Sequence, residues 1–276
     1  MFIYALLKGG RECMKKAALK KSGSYEILFF YTLIGFLFTI PYFKSALALD
    51  KLQIFYIFIK SAVCCIAWIF SLAALKRMSV GLYSIMDLSR MVFSTILGVI
   101  VLGEDFTLTK AIGMALVISG LLLVNFKKST SANNTTLFAV IFVLLNCFFN
   151  AVSGTLDKIL TKSIEPAALQ FWFMLFMSVI YGCVLILKKE KISLYSLKSN
   201  YWIVLMSISL VAGDLLLFKA NASPQSQVTL MTLIKQSSVI VSVLSGWLVF
   251  KEKNILYKLL CTAVIMVGIL IPLLFR

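Results

Sequence analysis

Charged side chains lie inside long apolar stretches of this 276-residue chain. Asp87 and Arg90 are near the middle of the apolar segment 79–102, whereas Asp214 and Lys235 lie in later apolar segments. A charge among apolar residues is costly unless it is paired or faces a polar cavity. Asp87 and Arg90 are three residues apart, so on a helix they share a face and can pair. The pattern indicates either a locked structural pair or a site for a polar solute, with Asp214 as a candidate proton or cation carrier.

Other polar and aromatic residues of the apolar segments are candidates for lining the same cavity. These are Trp68, Tyr83, Gln227 and Gln236, although each of these residue types more often serves only in packing. Lys60 lies about one and a half turns into its segment. Long basic side chains near the end of a membrane helix extend towards the interface, so we interpret Lys60 as a side chain of this kind.

Composition shows what kind of element must position these side chains. The chain is 61% hydrophobic and only 14% charged, with a mean hydropathy of +0.99, against about 25% charged residues in a soluble domain. A membrane helix needs about 20 mostly apolar residues. We therefore predict an all-α integral membrane protein of about ten transmembrane helices. Nine apolar segments are clear, at 26–43, 54–75, 79–102, 108–126, 137–156, 167–187, 201–218, 226–250 and 255–275.

Residues 2–19 form the least certain segment, because Lys8, Arg11, Glu12 and Lys15 interrupt it. Two readings are open. The segment is either a short span whose polar face lines a cavity, or a span whose beginning lies outside this chain.

The basic net charge of +16 does not indicate a nucleic-acid partner. Lys and Arg fall mostly in short clusters between apolar runs, such as Lys127-Lys128 and Lys188-Lys189, which is the usual topology signal of membrane proteins. The sequence contains no histidine, and its six cysteines form no CxxC motif. We therefore expect no metal site and no cofactor, and we interpret the cysteines as packing residues.

The chain contains an internal repeat. A shift of 148 residues places segment 80–122 on segment 228–270 without a gap. Two glycines, a loop glutamate and a loop lysine match in this register, which chance would not readily produce. The matched pairs are Gly98 with Gly246, Gly120 with Gly268, Glu104 with Glu252, and Lys110 with Lys258. We expect the glycines to allow close helix packing and the glutamates to tether helix ends.

A weaker repeat, in which Lys16 and Lys20 mirror Lys158 and Lys162, pairs the first segment with the sixth. This predicts a first repeat at 1–128, a linker at 129–136 and a second repeat at 137–276, each of five spans. An odd number of spans gives the halves opposite orientations, and inverted repeats commonly hold a polar site at their interface.

The repeat also relates two of the candidate charges. Asp87 and Lys235 each lie 17 residues before the matched glutamate of their half. Opposite charges at equivalent positions are expected to face one another across the interface between the halves. This is the most specific expectation for the site.

The ends of the two halves carry a family resemblance. Segments 96–125 and 243–271 each contain a glycine-bearing helix, a short loop with a glutamate, and a final helix with a small-residue face. This pattern resembles the drug/metabolite transporter superfamily, and within it the ten-span EamA-type proteins. The resemblance implies two inverted five-helix repeats and transport by alternating access. The sequence contains no recognisable nucleophile, metal-binding or nucleotide-binding pattern, so we expect no enzymatic activity.

The opening of the chain departs from this pattern. Family members typically begin with an apolar helix containing a Trp-Gly region, whereas this chain begins MFIYALLKGGREC. The small exporters of the superfamily carry a coupling glutamate followed eight residues later by a lysine. Glu12 and Lys20 have that spacing, so the resemblance makes Glu12 a further candidate for coupling.

These observations favour a secondary transporter, and by family analogy an exporter, of a small polar metabolite such as an amino acid or organic acid. The alternatives are a translocase for lipid head groups or lipid carriers and a structural membrane subunit that transports nothing. The expected partners are the lipid bilayer, a small solute and a coupling proton or cation, with the protein a monomer or homodimer. The expected location is a cell membrane, such as the bacterial cytoplasmic membrane. The basic loops favour external termini, whereas the family resemblance implies cytoplasmic termini, so the orientation stays open.

Overall fold

A computed structural model describes residues 2–126, 137–189, 200–223, 231, 235, 238–252 and 254–274, and these residues contain helices but no strand. The first half contains α1 (Phe2–Ala18), α2 (Ser24–Thr39), α3 (Phe43–Leu47), α4 (Lys51–Arg77), α5 (Val80–Met86), α6 (Arg90–Leu102) and α7 (Leu108–Phe126). The second half contains α8 (Leu137–Leu160), α9 (Pro166–Leu187), α10 (Trp202–Ala222), α11 (Ser238–Phe250) and α12 (Ile255–Leu274).

The distribution of polarity is that of a membrane protein. Within the described residues, six helical stretches are long and apolar enough to cross a membrane, with shorter apolar helices beside them. Large apolar side chains such as Ile100, Leu187 and Leu256 are exposed, whereas charged side chains such as Lys60 and Asp87 are buried. Exposed apolar surface of this extent is stable when it faces lipid. The chain is a multi-pass membrane protein.

The helices of the two halves pack against one another in reciprocal pairs. The contact of α4 with α8 corresponds to the contact of α10 with α1. In the same way, the contact of α6 with α8 corresponds to the contact of α11 with α1. Helices α2 and α9, and α7 and α12, pack as matched partners, and α5 packs on α11. Each half therefore completes the core of the other.

Close backbone contact joins α7 to α12. A Cβ atom added at Gly268 would lie 2.8 Å from the carbonyl oxygen of Gly113, and one added at Gly120 would collide with Ile265. In lipid, such close packing replaces the hydrophobic effect as the force between helices. The expected packing role is confirmed for these glycines.

Two lysines occupy equivalent places in the halves. Lys16 donates hydrogen bonds to the carbonyl oxygens of Leu75 and Met78, at the C-terminal end of α4. Lys158 donates to the carbonyl oxygens of Asn221 and Ser223, at 2.9 and 3.0 Å, at the C-terminal end of α10. The last carbonyl groups of a helix lack partners within it and attract cations. The Lys16–Lys158 correspondence in the sequence thus reflects one structural role.

Glu252 tethers the second half to the first. Its carboxylate accepts hydrogen bonds from the backbone N–H groups of Val80, at 2.7 Å, and Gly81, at 3.2 Å, at the start of α5. Lys258 forms an ion pair with the same carboxylate at 2.6 Å. A carboxylate satisfies the free N–H groups of a helix N-terminus, so Glu252 serves as the helix tether expected from its loop position.

The predicted span 79–102 is not one continuous helix. Helix α5 ends at Met86, a 3-10 turn covers Asp87–Ser89, and α6 begins at Arg90. The backbone N–H of Arg90 bonds to the carbonyl oxygens of Asp87 and Leu88 across this turn. A 3-10 stretch inside a helix often marks a functional position, and here Asp87 begins the turn and Arg90 directly follows it.

Candidate functional site

A cavity lies between the two halves, with about 830 Å³ of space unoccupied by protein atoms, including the part open to solvent. Side chains from both halves line it. They include Tyr4, Lys8, Arg11, Glu12, Lys15, Tyr31, Lys60, Trp68, Ser71, Tyr83, Arg90, Asn146, Asn150, Ser153, Asp157, Phe173, Asp214, Phe218 and Lys235.

Helices α1 and α8 contribute matching polar stripes to the cavity. Spacings of four, three and four residues place four side chains on one helical face. In α1 these are Tyr4, Lys8, Arg11 and Lys15, and in α8 they are Asn146, Asn150, Ser153 and Asp157. Each member of the first set lies 142 residues before its counterpart, which is also the distance from Lys16 to Lys158. Of the two readings of segment 2–19, the structure therefore supports a polar face that lines a cavity.

Asp87 lies at the centre of a charged cluster behind the cavity wall. Its carboxylate is 2.6 Å from Arg90 Nη2 and 3.4 Å from Lys8 Nζ. Asn146 of the other half donates a hydrogen bond to it at 3.0 Å. The Asp87–Arg90 pair expected from the spacing is formed, and the break between α5 and α6 positions it.

A hydrogen-bond network connects this cluster to both halves. The hydroxyl groups of Tyr83 and Ser71 share a hydrogen bond of 2.7 Å. Asn146 donates to the Tyr83 hydroxyl at 3.2 Å, and Asn150 donates to the Asn146 side-chain oxygen at 2.6 Å. Tyr83, a predicted lining residue, therefore has both a cavity position and a structural role.

Asp214 forms a second charged group with α1. Arg11 Nη1 is 3.8 Å from the Asp214 carboxylate and donates to the Tyr31 hydroxyl at 3.5 Å. Trp68, another predicted lining residue, has its ring centroid 5.3 Å from that of Tyr31. Asp214 thus lines the cavity as a paired carboxylate.

The interpretation of Lys60 as a side chain extended towards the interface is wrong. Lys60 is only 1% exposed, and its Nζ lies 3.2 Å from the carboxylate of Asp157 in the second half. The same ammonium is 3.0 Å from the ring centroid of Phe173. Because a carboxylate and an aromatic ring stabilise the charge inside the protein, Lys60 does not need to reach water.

The expected approach of Lys235 to Asp87 is not seen as an ion pair. Lys235 lines the cavity, but among the described residues it forms no ion pair. Asp87 instead pairs with Lys8 and Arg90. Arg90 is one helical turn from Asp87 along the chain. Lys8 lies on α1, and the repeat alone does not predict that α1 supplies a partner for Asp87.

Glu12 also lines the cavity. Its carboxylate pairs with Lys15 at 2.9 Å, whereas Lys20, the lysine at the spacing found in the small exporters, lies over the ring of Phe250. The other carboxylate oxygen of Glu12 is buried, without a hydrogen bond among the described residues. Gln227 and Gln236 lie outside the described residues.

Several lining residues were not singled out from the sequence as site candidates. For Lys8, Arg11 and Lys15 the sequence predicts no individual role beyond a polar face of the first segment, and Asp157 is not among the predicted site residues. Their regular spacing of three and four residues was the available signal, because it is the period of a helical face.

Comparisons with known proteins agree with this architecture. The model of the EamA-like transporter family matches residues 2–126 and 137–274, one match in each half. The chain belongs to the EamA-like transporter family, which is part of the drug/metabolite transporter superfamily, and is a membrane transporter of that type.

The other comparisons concern individual proteins. A solved structure, described only as a crystal structure of a protein, is similar with a TM-score of 0.70 and 12% sequence identity. The similarity covers 98% of this chain and 96% of the other, and at this identity it supports the fold alone. No curated protein matches the sequence.

Proposed function

We propose that this protein is a secondary transporter that moves a small acidic or zwitterionic metabolite, such as an organic acid or amino acid, by alternating access. The observation that carries the proposal is the cavity between the halves, in which basic side chains outnumber acidic ones. Buried polar groups that converge on one cavity are the usual features of a binding site. An excess of positive charge favours solutes that carry an acidic group.

The proposed membrane arrangement has ten spans in two inverted repeats. Helices α2 and α3 form one span, α5 and α6 form another, and α11 belongs to a third. Helices α1, α4, α7, α8, α9, α10 and α12 supply the rest. The reciprocal packing of the halves supports this count.

Two ion pairs that join the halves at the cavity support alternating access. The Lys60–Asp157 and Arg11–Asp214 pairs each join a residue of the first half to one of the second. Ion pairs between two packed bodies can separate and reform as one body rocks against the other. Asp214 and Glu12 stay our candidates for coupling to a proton or cation, and export stays the expected direction.

The test is solute counterflow in proteoliposomes that contain the purified full-length protein. Vesicles are loaded with one unlabelled solute from a panel of organic acids, amino acids, sugars and amines, and uptake of the labelled form is followed. We expect exchange of at least one acidic or zwitterionic solute, and no exchange in vesicles without protein. Exchange of amines alone would contradict the proposal, as would movement of lipid head groups without exchange of any soluble solute.

A further inference from the structure

We infer that the cavity selects a solute with two negative charges. The inference deepens the proposed function and rests on it. It follows from how the charges around the cavity are paired, because the pairing leaves two positive charges without a matching carboxylate.

Six basic side chains line the cavity, namely Lys8, Arg11, Lys15, Lys60, Arg90 and Lys235. Three carboxylates line it with them, those of Glu12, Asp157 and Asp214. A fourth carboxylate, that of Asp87, lies directly behind two of the basic groups. The described site therefore carries two more positive than negative groups.

Three of the carboxylates each pair with one cation. Glu12 pairs with Lys15 at 2.9 Å, Asp157 with Lys60 at 3.2 Å, and Asp214 with Arg11 at 3.8 Å. Each of these pairs is close to neutral as a unit. These pairs line the cavity but contribute little net positive or negative charge to it.

The first surplus charge is at Asp87. One carboxylate is shared there by Arg90, at 2.6 Å, and Lys8, at 3.4 Å. The three groups together carry one net positive charge. The Nε atom of Arg90 is buried and makes no hydrogen bond among the described residues, and a guanidinium N–H is a preferred donor to carboxylate and phosphate oxygens.

The second surplus charge is at Lys235. It lines the same cavity and forms no ion pair with any described residue. The sequence also offers no nearby partner along the chain, because no aspartate or glutamate occurs between residues 223 and 251. The carboxylates that line the same cavity already pair with other cations, so the charge of Lys235 is not compensated in the empty site.

A dianion neutralises both surplus charges at once. A monoanion or zwitterion leaves at least one of them uncompensated, and a cation adds a further like charge. Small dicarboxylates and phosphate monoesters share the required chemistry, since each presents two negative charges and several acceptor oxygens.

Isothermal titration of the purified full-length protein at pH 7.5 tests the inference. The probes are succinate, glycerol 3-phosphate, lactate and alanine. We expect one of the two dianions to bind at least about tenfold more tightly than lactate, which corresponds to about 1.4 kcal/mol. Succinate as the tighter ligand would indicate a dicarboxylate, and glycerol 3-phosphate a phosphate monoester.

Lys235→Gln removes one surplus charge without leaving a described carboxylate unpaired, so we expect it to fold normally. It should weaken dianion binding about tenfold and change lactate binding little, so that the preference for the dianion disappears. Lys44→Gln is the matched control, because Lys44 is exposed and outside the cavity. Equal melting temperatures of the two variants would show that folding is not the cause.

The inference is overturned if lactate or alanine binds as tightly as the better dianion, if neither dianion binds, or if Lys235→Gln keeps the preference. The counterflow assay separates this failure from failure of the proposed function. Exchange of a monoanion or zwitterion, without exchange of a dianion, would leave the transporter proposal intact and refute only the inferred preference for a dianion.

Discussion

The ammonium group of Lys60, in the first half, lies 3.2 Å from the carboxylate of Asp157, in the second half. Both side chains are almost completely buried, and the ammonium group lies over the Phe173 ring in a cation–π contact. The pair links α4 to α8, two helices that pack closely along the interface between the halves. It therefore contributes both to the stability of the core and to the wall of the cavity.

Lys60→Met is expected to destabilise the protein, because it leaves the Asp157 carboxylate buried without its partner. Breaking a buried pair in this way typically costs about 3–5 kcal/mol. The melting temperature in detergent should fall clearly for Lys60→Met and recover in part for Lys60→Met combined with Asp157→Leu. A single variant as stable as the native protein would show that the pair is not important for folding.

Gly154→Val is expected to block transport without loss of stability. Gly154 lines the cavity, and a Cβ atom added there would meet no other atom within 4 Å. The new side chain would occupy solute space, so the exchange rate should fall at least about tenfold (roughly 1.4 kcal/mol in the barrier). The same change at Gly268, where the Cβ would lie 2.8 Å from the Gly113 carbonyl oxygen, should instead lower the melting temperature. Unchanged counterflow in Gly154→Val would refute the cavity as the route.

Glu252→Ala is expected to loosen the start of α5. The carboxylate accepts from the N–H groups of Val80 and Gly81, and losing hydrogen bonds to a charged group costs about 1.5–3 kcal/mol. Hydrogen exchange at these two amides should accelerate in the variant. Glu165→Ala, at an exposed position, is the control. Equal exchange in both variants would refute the tether.

Lys16→Met and Lys158→Met are expected to lower stability by similar amounts. Each lysine satisfies the last carbonyl groups of one helix, α4 in the first half and α10 in the second. Loss of such bonds costs about 1–3 kcal/mol. Thermal unfolding of the two variants is the measurement. A large effect in one variant and none in the other would contradict the equivalence of the two caps.

The repeat and the local charge pair could be predicted from the sequence, because both depend on spacing along the chain. The register of Glu104 with Glu252 needed only a comparison of the halves, and the Asp87–Arg90 pair needed only the period of a helix. The role of Asp87 as a shared partner of Lys8 could not be predicted in this way. That contact depends on how α1 approaches the broken helix, and no local pattern specifies the approach.

The same limit explains the errors. The interpretation of Lys60 is wrong because its partner, Asp157, lies 97 residues away on another helix, and spacing along the chain does not reveal such a contact. The charges of the first segment left two readings open, because spacing alone does not show what a polar face meets; in the structure they form the cavity face of α1. The turn at Asp87–Ser89 is also not visible in the sequence, because it lies within a continuous apolar segment and its side chains are buried.

The most direct test of alternating access at this cavity is chemical modification of Gly154→Cys. The background is a variant that lacks the six native cysteines and retains counterflow. A membrane-impermeant thiol reagent is applied to oriented proteoliposomes from each side in turn. We predict that it modifies residue 154 from both sides, and that a saturating exchanged solute slows the modification. Modification from one side only, at a rate that no exchanged solute alters, would contradict the account.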